Sequence, residues 1–550
     1  MTTQASDVFS DHHERSTLSA IPALHPSLNL GNFFHHAVAH DGGNPAILDL
    51  SAGALRVISY ADLETRIRRA VAVLKSQGLG RGDKFALALP NSPEYLEIFF
   101  AGMRLGAVPV PLNFRLERDA LDFILKDAGV CAVVADPVEA DRACDVAQGM
   151  ALTRRIAVGH PRAEWARYDE LLDQTGAGDP TIMPMAFDDQ AFQAYTAGST
   201  GRPKGIYLTH GGMLWGIEHS QRYWPVEPTE RRIVAAPMFH KNAMRGQIKP
   251  ALRGGSSIVV LKRFDARSFL RAVAEHKVST CGGVPAMFAD LLRQEDLLTE
   301  HDFSSLRVVS MGSSSVPTGL LDRLKQSFPN AQVKEGYGLT EGGAPLRQPI
   351  DGRKTPLGSV GVLAPETEAR LVDATGATNE RQGELWMKTP YVLKEYVNQP
   401  ELTKARIRDG WLRTGDLFRV DDQGFFYFIA RLDDMFVCGG ENLYPKEVES
   451  LILKHPNVAD VVVVPLPHAT KGQAPAAAVV CHSGRELSPR QVQDFCANNG
   501  PTFAIPRAVM ILPDIPANAA GKPDRGRVAA LLAGQFGTLT SRSDMDVRDR

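Results

Sequence analysis

Residues Tyr195 to Gly205 read YTAGSTGRPKG. The stretch holds three glycines, four small hydroxyl- or methyl-bearing residues, one proline and two cations, a mixture too small and open to be core. Two readings compete. One is a bland surface turn, since Gly/Ser/Thr loops are common. The other is an anion cradle. Backbone amides freed by Gly198 and Gly201 turn toward a phosphate, Thr196, Ser199 and Thr200 add hydroxyl donors, and Lys204 adds charge. The loop is not G-x-x-x-x-G-K-[ST]: counting from Gly198, the second glycine falls on Pro203, and Gly205 follows Lys204 where Ser or Thr is needed.

Outward from this loop, strand and helix patterns alternate. SYADLETRIRRAVAVLKSQGLGRGD predicts a helix with Leu63, Ile67, Ala70 and Leu74 on one face, stopped by Gly78 and Gly80. KFALALP follows as a short buried strand, and SPEYLEIFFAGMRLGA as a helix capped by Ser92 and opened by Pro93. CAVVAD reads as another strand, Pro137 to Asp189 as irregular connection, and RIVAAP, SSIVVL, SFLRAVAEHKV, STCGGVP and LRVVSMG resume the alternation. This predicts an α/β chain of helix-covered parallel sheets. From about 358 to 429 the texture turns to short strands and turns, a small β-rich subdomain. After Arg431 a compact α/β domain of about one hundred residues is expected. There PKEVESLILKHP and SPRQVQDFCANN read as helices, the second opened by a Ser488/Gln491 capping box, and VADVVVVPLP and APAAAVVC as strands. The end, 536–550, is a polar tail.

A chain of 550 residues exceeds one compact core, so two or more domains are expected. Lys+Arg 61 against Asp+Glu 63 leaves a net charge of −2, which offers no sign of nucleic-acid or anionic-membrane binding. Cys131, Cys144, Cys281, Cys438, Cys481 and Cys496 form no CxxC pair, which argues against a zinc site or disulfide framework and for a reducing compartment. No signal-peptide pattern and no apolar run long enough to span a bilayer is present, so a cytoplasmic protein with no integral membrane part is expected.

The loop does not stand alone. APMFH (Ala236–His240), GYGLTE (Gly336–Glu341), WLRTGD (Trp411–Asp416), ARLDDMFVCGGENLYPKEVE (Ala430–Glu449) and IPANAAGK (Ile515–Lys522) follow it in order. Together these six motifs resemble the adenylate-forming superfamily of acyl-CoA synthetases, peptide-synthetase adenylation domains and luciferases. The resemblance implies an N-terminal domain over 1–430, a hinge at 431–433 centred on Asp433, and a mobile C-terminal lid over 434–535. It implies two half-reactions. A carboxylate attacks the α-phosphate of ATP to give acyl-AMP and pyrophosphate, and a thiol then displaces AMP.

In that scheme Thr196, Ser199, Thr200, Gly201 and Lys204 hold the β- and γ-phosphates, Thr340 contacts the α-phosphate, and Glu341 is the magnesium-associated glutamate. Tyr337, between Gly336 and Gly338, lies against adenine, with Gly312, Ser313 and Ser314 on its other side; the family often has Gly-Ala-Pro where this chain has Ser313 to Ser315. Asp416 accepts the ribose hydroxyls, Arg431 approaches the ribose or α-phosphate, and Lys522 bridges the attacking carboxylate and the α-phosphate. Gly439 and Gly440 enter the pantetheine tunnel after the lid turns. Taken singly these residues have plainer readings: solvated surface charges for Glu341 and Lys522, a salt bridge for Asp416 and Arg431, a core tyrosine for Tyr337, a β-turn for Gly439 and Gly440.

MFHKNAM lacks the aspartate that binds an amino acid's ammonium, so a plain carboxylic acid is expected. His240 matches the aromatic gate of the acid pocket, with Asn242, Gly283 and Gly312 as further wall. RLDDMFVCGGENLYPKEVE resembles benzoate-type and medium-chain ligases, which favours an aryl or short-to-medium acyl acid. ATP, magnesium and coenzyme A are the implied ligands. Alternatives are loading of a carrier protein's phosphopantetheine and a catalytically silent nucleotide-binding protein. The acid, the pathway and the oligomeric state, a homodimer included, are left open.

Overall fold

The structure is a computed structural model and describes residues 28–540 apart from 153, 197–201, 313–317, 483 and 518–521. Its elements follow local chemistry. A capping box between Ser59 and Asp62 opens the helix Tyr60–Ser76, whose Leu63, Ile67, Ala70 and Leu74 are fully buried. Ser92 accepts from the Tyr95 amide and Pro93 begins the helix Pro93–Arg104, buried everywhere except Glu94. A helix apolar on all sides belongs between layers, and its buried Arg104 is held by both carboxylate oxygens of Glu64, at 2.9 and 2.6 Å.

Two sheets carry the large domain. One is all-parallel, in the spatial order Val108–Pro111, Lys84–Ala88, Ala132–Ala135, Arg154–Ala157, Ala166–Arg167. The other has seven strands, from Gln332–Gly336 through Val308–Gly312, Thr280–Gly283, Arg231–Val234, Ser257–Val260 and Pro45–Asp49 to Arg56–Ser59, antiparallel only at the last pair. The segment expected to be irregular, 137–189, departs from that expectation. It holds the helices Asp141–Gln148 and Tyr168–Asp173 and the two outer strands of the parallel sheet. Those strands are short and bury only Ile156 and Ala157, too little apolar pattern to announce themselves.

The stretch 358–429 forms a mostly antiparallel sheet of Glu368–Val372, Gln382–Lys388, Trp411–Val420, Ile407–Arg408 and Phe426–Arg431. Beyond it a five-stranded sheet is built on the long hairpin Val458–His468 and Gly472–Cys481, with the helix Pro489–Asn499 opened by the Ser488/Gln491 box. This last unit buries its own core around Val463, Ala477, Val479, Ile452 and Leu532. Among the described residues no helix is long and apolar enough to cross a membrane.

Candidate active site

The strands Gln190–Thr196 and Lys204–Thr209 pair antiparallel, and Thr196 is the register partner of Lys204. The glycine-rich loop therefore closes a hairpin instead of leading from strand to helix, which agrees with the failed count for the G-x-x-x-x-G-K-[ST] motif. Ser199, Thr200 and Gly201 lie outside the described residues. Thr196 and Lys204, at the hairpin's mouth, line a cleft of about 2280 Å³ walled by the large domain and by residues beyond 440.

Two neighbouring parallel strands end at this cleft. Gly312 and Gly336 are register partners at their carboxyl ends, where open α/β sheets bind ligands. A Cβ on Gly312 would stand 2.8 Å from the Gly336 carbonyl oxygen, so only glycine lets the strands stay this close at the mouth. Ser313 and Ser314 lie outside the described residues. Tyr337 follows directly. Its ring meets Phe418 edge-on at 4.8 Å, and its hydroxyl donates to Asp416 Oδ2 at 2.6 Å. Asp416 is also the register partner of Arg431, whose Nε lies 3.3 Å from Oδ1. Burial raises the Asp416 carboxyl while Arg431 and the Tyr337 hydroxyl pull it back down. Each oxygen has one partner and a free lone-pair direction, so the carboxylate can still accept.

Across the cleft stands Lys522, carried by the small domain. Burial and Arg431 lower its pKa from the ordinary lysine range, while Glu341 and Asp416 pull it upward. His240 is held neutral, pushed down to about 3 by burial and then by Lys522 and Lys241. Lys241 donates to the Gly338 carbonyl and faces Glu341; burial pulls it down to about 7. Glu341 and Thr340 also line the cleft, and the Tyr396 phenol is raised by burial and by Glu341 beside it. Glu341 offers hard oxygen donors, but among the described residues no three His, Cys, Asp or Glu side chains converge as a metal cage. The position fits a divalent cation that arrives with most of its ligands already supplied as phosphate and water oxygens.

Gly439 and Gly440 form the turn between Phe436–Cys438 and Glu441–Leu443, with φ of +61° and +96°. They do not line the cleft; a Cβ on Gly440 would meet nothing within 4 Å. The small domain thus presents Lys522 to the cleft and this turn elsewhere. Asp433 sits in the single turn Leu432–Asp434 between the domains and pairs with Arg406 Nη2 at 2.7 Å.

Of the residues expected to form the acid pocket, His240 caps the short helix Lys241–Ala243 and lines the cleft. Asn242 and Gly283 do not line it. The Asn242 amide donates to His240 Nδ1 at 3.4 Å, and buried Gly283 faces Met287 and Phe288. The walls are instead Phe192, Phe239, Met244 and Tyr391, with Arg245 and Lys249 among them. Sequence reading passed over these two cations. Their signal was the four-residue spacing of Lys241, Arg245, Lys249 and Arg253, which sets one helical face.

Residues 34–397 match the family model described as AMP-binding enzyme, and residues 447–522 the model described as AMP-binding enzyme C-terminal domain. A feruloyl-CoA synthase from Amycolatopsis sp is 33% identical over 475 residues, 86% of this chain and 93% of that one. The long-chain-fatty-acid–CoA ligase FadD13 of Mycobacterium tuberculosis is 33% identical over 84% of this chain and 91% of its own. Among solved structures, ATP-bound MatB from Rhodopseudomonas palustris superposes with a TM-score of 0.81 at 30% identity, over 92% of this chain and 99% of that one. The ends of two hairpin strands, two glycine-ended parallel strands and a lysine from a second domain meet in one cleft, and the two family models together match 34–397 and 447–522: the chain belongs to the AMP-binding enzyme family.

Proposed function

We propose that this protein is an AMP-forming acid–CoA ligase acting on an aryl or short-to-medium acyl acid. The observation that carries the reading is the meeting of Lys522 with Glu341, Asp416, Arg431 and His240 in one cleft. Lys522 supplies a positive charge where an acid's carboxylate and the α-phosphate come together, and burial strengthens that charge's hold on both. Thr196 and Lys204 lie at the loop for the terminal phosphates, Thr340 for the α-phosphate, and Tyr337, Asp416 and Arg431 for the nucleoside. Glu341 would hold magnesium; when bound, the ion neutralises phosphate charge. Neutral His240 closes the acid side without offering the carboxylate a competing cation. The acid thereby gains a leaving group, AMP, that sulfur can displace.

The second half-reaction needs a path for a thiol. The Gly439–Gly440 turn provides it once the small domain swings about Asp433, withdrawing Lys522. Relatives named as CoA ligases support free coenzyme A over a carrier protein as acceptor, and the aryl name among them supports a ring-bearing acid. Six cysteines without a disulfide suit a reducing cytoplasm. The test is pyrophosphate release from ATP and magnesium across aromatic, hydroxy, branched and linear acids, followed by AMP release with CoA or a holo-carrier. Acid-dependent pyrophosphate with CoA-dependent AMP is the expected result. Pyrophosphate from none of the acids would leave a silent nucleotide-binding protein.

A further inference from the structure

Four cations stand at four-residue spacing along one helical run, Lys241–Ala243, Met244–Ile248 and Lys249–Arg253. The two at its ends are satisfied by the protein. Lys241 donates to the Gly338 carbonyl. Arg253 makes a two-pronged bond to Glu218, at 2.6 and 2.8 Å. The two in the middle are not. Among the described residues no Asp or Glu pairs with Arg245 or Lys249, and neither donates a hydrogen bond. Arg245 lies 5.7 Å from the Tyr391 ring centroid, and Lys249 Nζ lies 4.9 Å from that of Phe192. Both line the cleft, although Lys249 is only 5% exposed.

A pair of like charges, one buried and one half-buried, with no counter-ion is costly. The surroundings do not relieve it. Arg347 feels the positive charges of both Arg245 and Arg232, and Arg232 already leans on Glu230 at 3.4 Å and on the Gly246 carbonyl at 3.1 Å. The run is also distorted at this place. Met244–Ile248 is a π-helical turn, a feature that recurs at functional sites. The protein thus gives a carboxylate to Arg253 and withholds one from the two cations facing the cavity.

Their position follows from their neighbours. Lys241 feels Glu341, Lys522 and Asp416, the charges of the reaction centre. Lys249 feels Arg245 and none of those. Along the run the cations therefore recede from the reacting carboxylate, by about 6 Å per four-residue step at α-helical rise. The same cleft is also lined by apolar side chains, Phe192, Phe239, Met244 and Tyr391. We propose that the acid activated here is a dicarboxylic acid, and that Arg245 and Lys249 hold the carboxylate that does not react. An apolar spacer, aliphatic or aromatic, lies along the wall between the two anions. This rests on the ligase reading above and narrows its substrate.

The test compares matched acids by pyrophosphate release from the full chain with magnesium and ATP: hexanoate against adipate, benzoate against terephthalate. The diacid of at least one pair is expected to win in kcat/KM by about 10- to 100-fold, the range for a hydrogen-bonded charge in a buried site. In Arg245→Met and Lys249→Met the diacid-to-monoacid ratio should fall by a similar factor, mainly through KM for the diacid. Arg245→Lys and Lys249→Arg should restore part of it, which separates anion recognition from packing. Monoacids used as well as their diacid partners, or a ratio that neither Met variant moves, would overturn the second carboxylate and leave the ligase standing. Pyrophosphate from no acid at all would overturn both.

Discussion

The two ends of the cleft are built on opposite electrostatic plans. At the nucleotide end charges come in answering sets: Asp416 with Arg431 and the Tyr337 hydroxyl, Lys522 facing Glu341 and Asp416, Asp433 with Arg406. At the end proposed for the acid, Arg245 and Lys249 stand beside aromatic rings with no carboxylate paired to them among the described residues. A balanced set can hold its shape while a ligand of many charges comes, reacts and leaves in pieces. An unbalanced set stores a demand that a ligand must meet. On the proposed reading, the first arrangement suits turnover and the second suits selection.

Breaking the nucleotide end at Lys522 has the largest expected effect. Lys522→Ala should lower acid-dependent pyrophosphate release by about 10²–10³-fold, the cost of one well-placed donor to developing charge. Thioester formation from pre-made acyl-AMP should survive. Normal adenylation by the variant, read in a single turnover, would remove Lys522 from the chemistry.

Gly440 separates the two faces of the small domain. A Cβ there meets nothing within 4 Å in the present arrangement, but φ of +96° strains any L side chain. Gly440→Leu should slow CoA-dependent AMP release by about tenfold, roughly the 1–3 kcal/mol of such strain if it falls on that step, and spare the pyrophosphate burst. Equal loss of both steps would show that the turn acts only on folding.

Stability against pH sharpens the contrast from the acid end. Burial and Arg245 pull Lys249 down to about 7 in the folded chain, below its value when unfolded. Between those two values the unfolded chain binds more protons, so stability without ligand should rise with pH from about 7 toward 10. Lys241 acts in the same direction. Lys249→Met removes one such penalty. It should raise the melting temperature near pH 7 by about one degree for each kcal/mol gained, with a gain on the order of 1 kcal/mol, and flatten the alkaline rise. A lower melting temperature would mean that Lys249 has a partner within the fold.

The smallest effect is expected from Tyr337→Phe, which keeps the ring on Phe418 and removes the donor to Asp416. Loss of about 1 kcal/mol should appear as a several-fold rise in KM for ATP, with little change in kcat. A large fall in kcat would place the hydroxyl closer to the reaction.

Much of this was legible in the chain. The helix starts at Ser92 and Ser488 and the strands around KFALALP and CAVVAD are local matters of capping and apolar pattern, and the structure forms them. The motif residues could be named one by one. The outer strands inside 137–189 could not, because four residues with two buried side chains carry no period. Nor could the failure of Asn242 and Gly283 to line the pocket, since which way a residue faces depends on what packs behind it.

By itself the sequence determined where elements begin and end, which chemistry each motif can offer, and that the chain belongs with adenylate-forming enzymes. Tertiary structure alone decided that Lys522 faces Glu341, that Asp416 is shared between Tyr337 and Arg431, and that two of four evenly spaced cations have aromatic rings and, among the described residues, no carboxylate as neighbours. The reason is physical. A helix cap is settled within four residues, whereas the energy of a charge is set by which groups and how much water lie within a few ångströms, and folding alone arranges those.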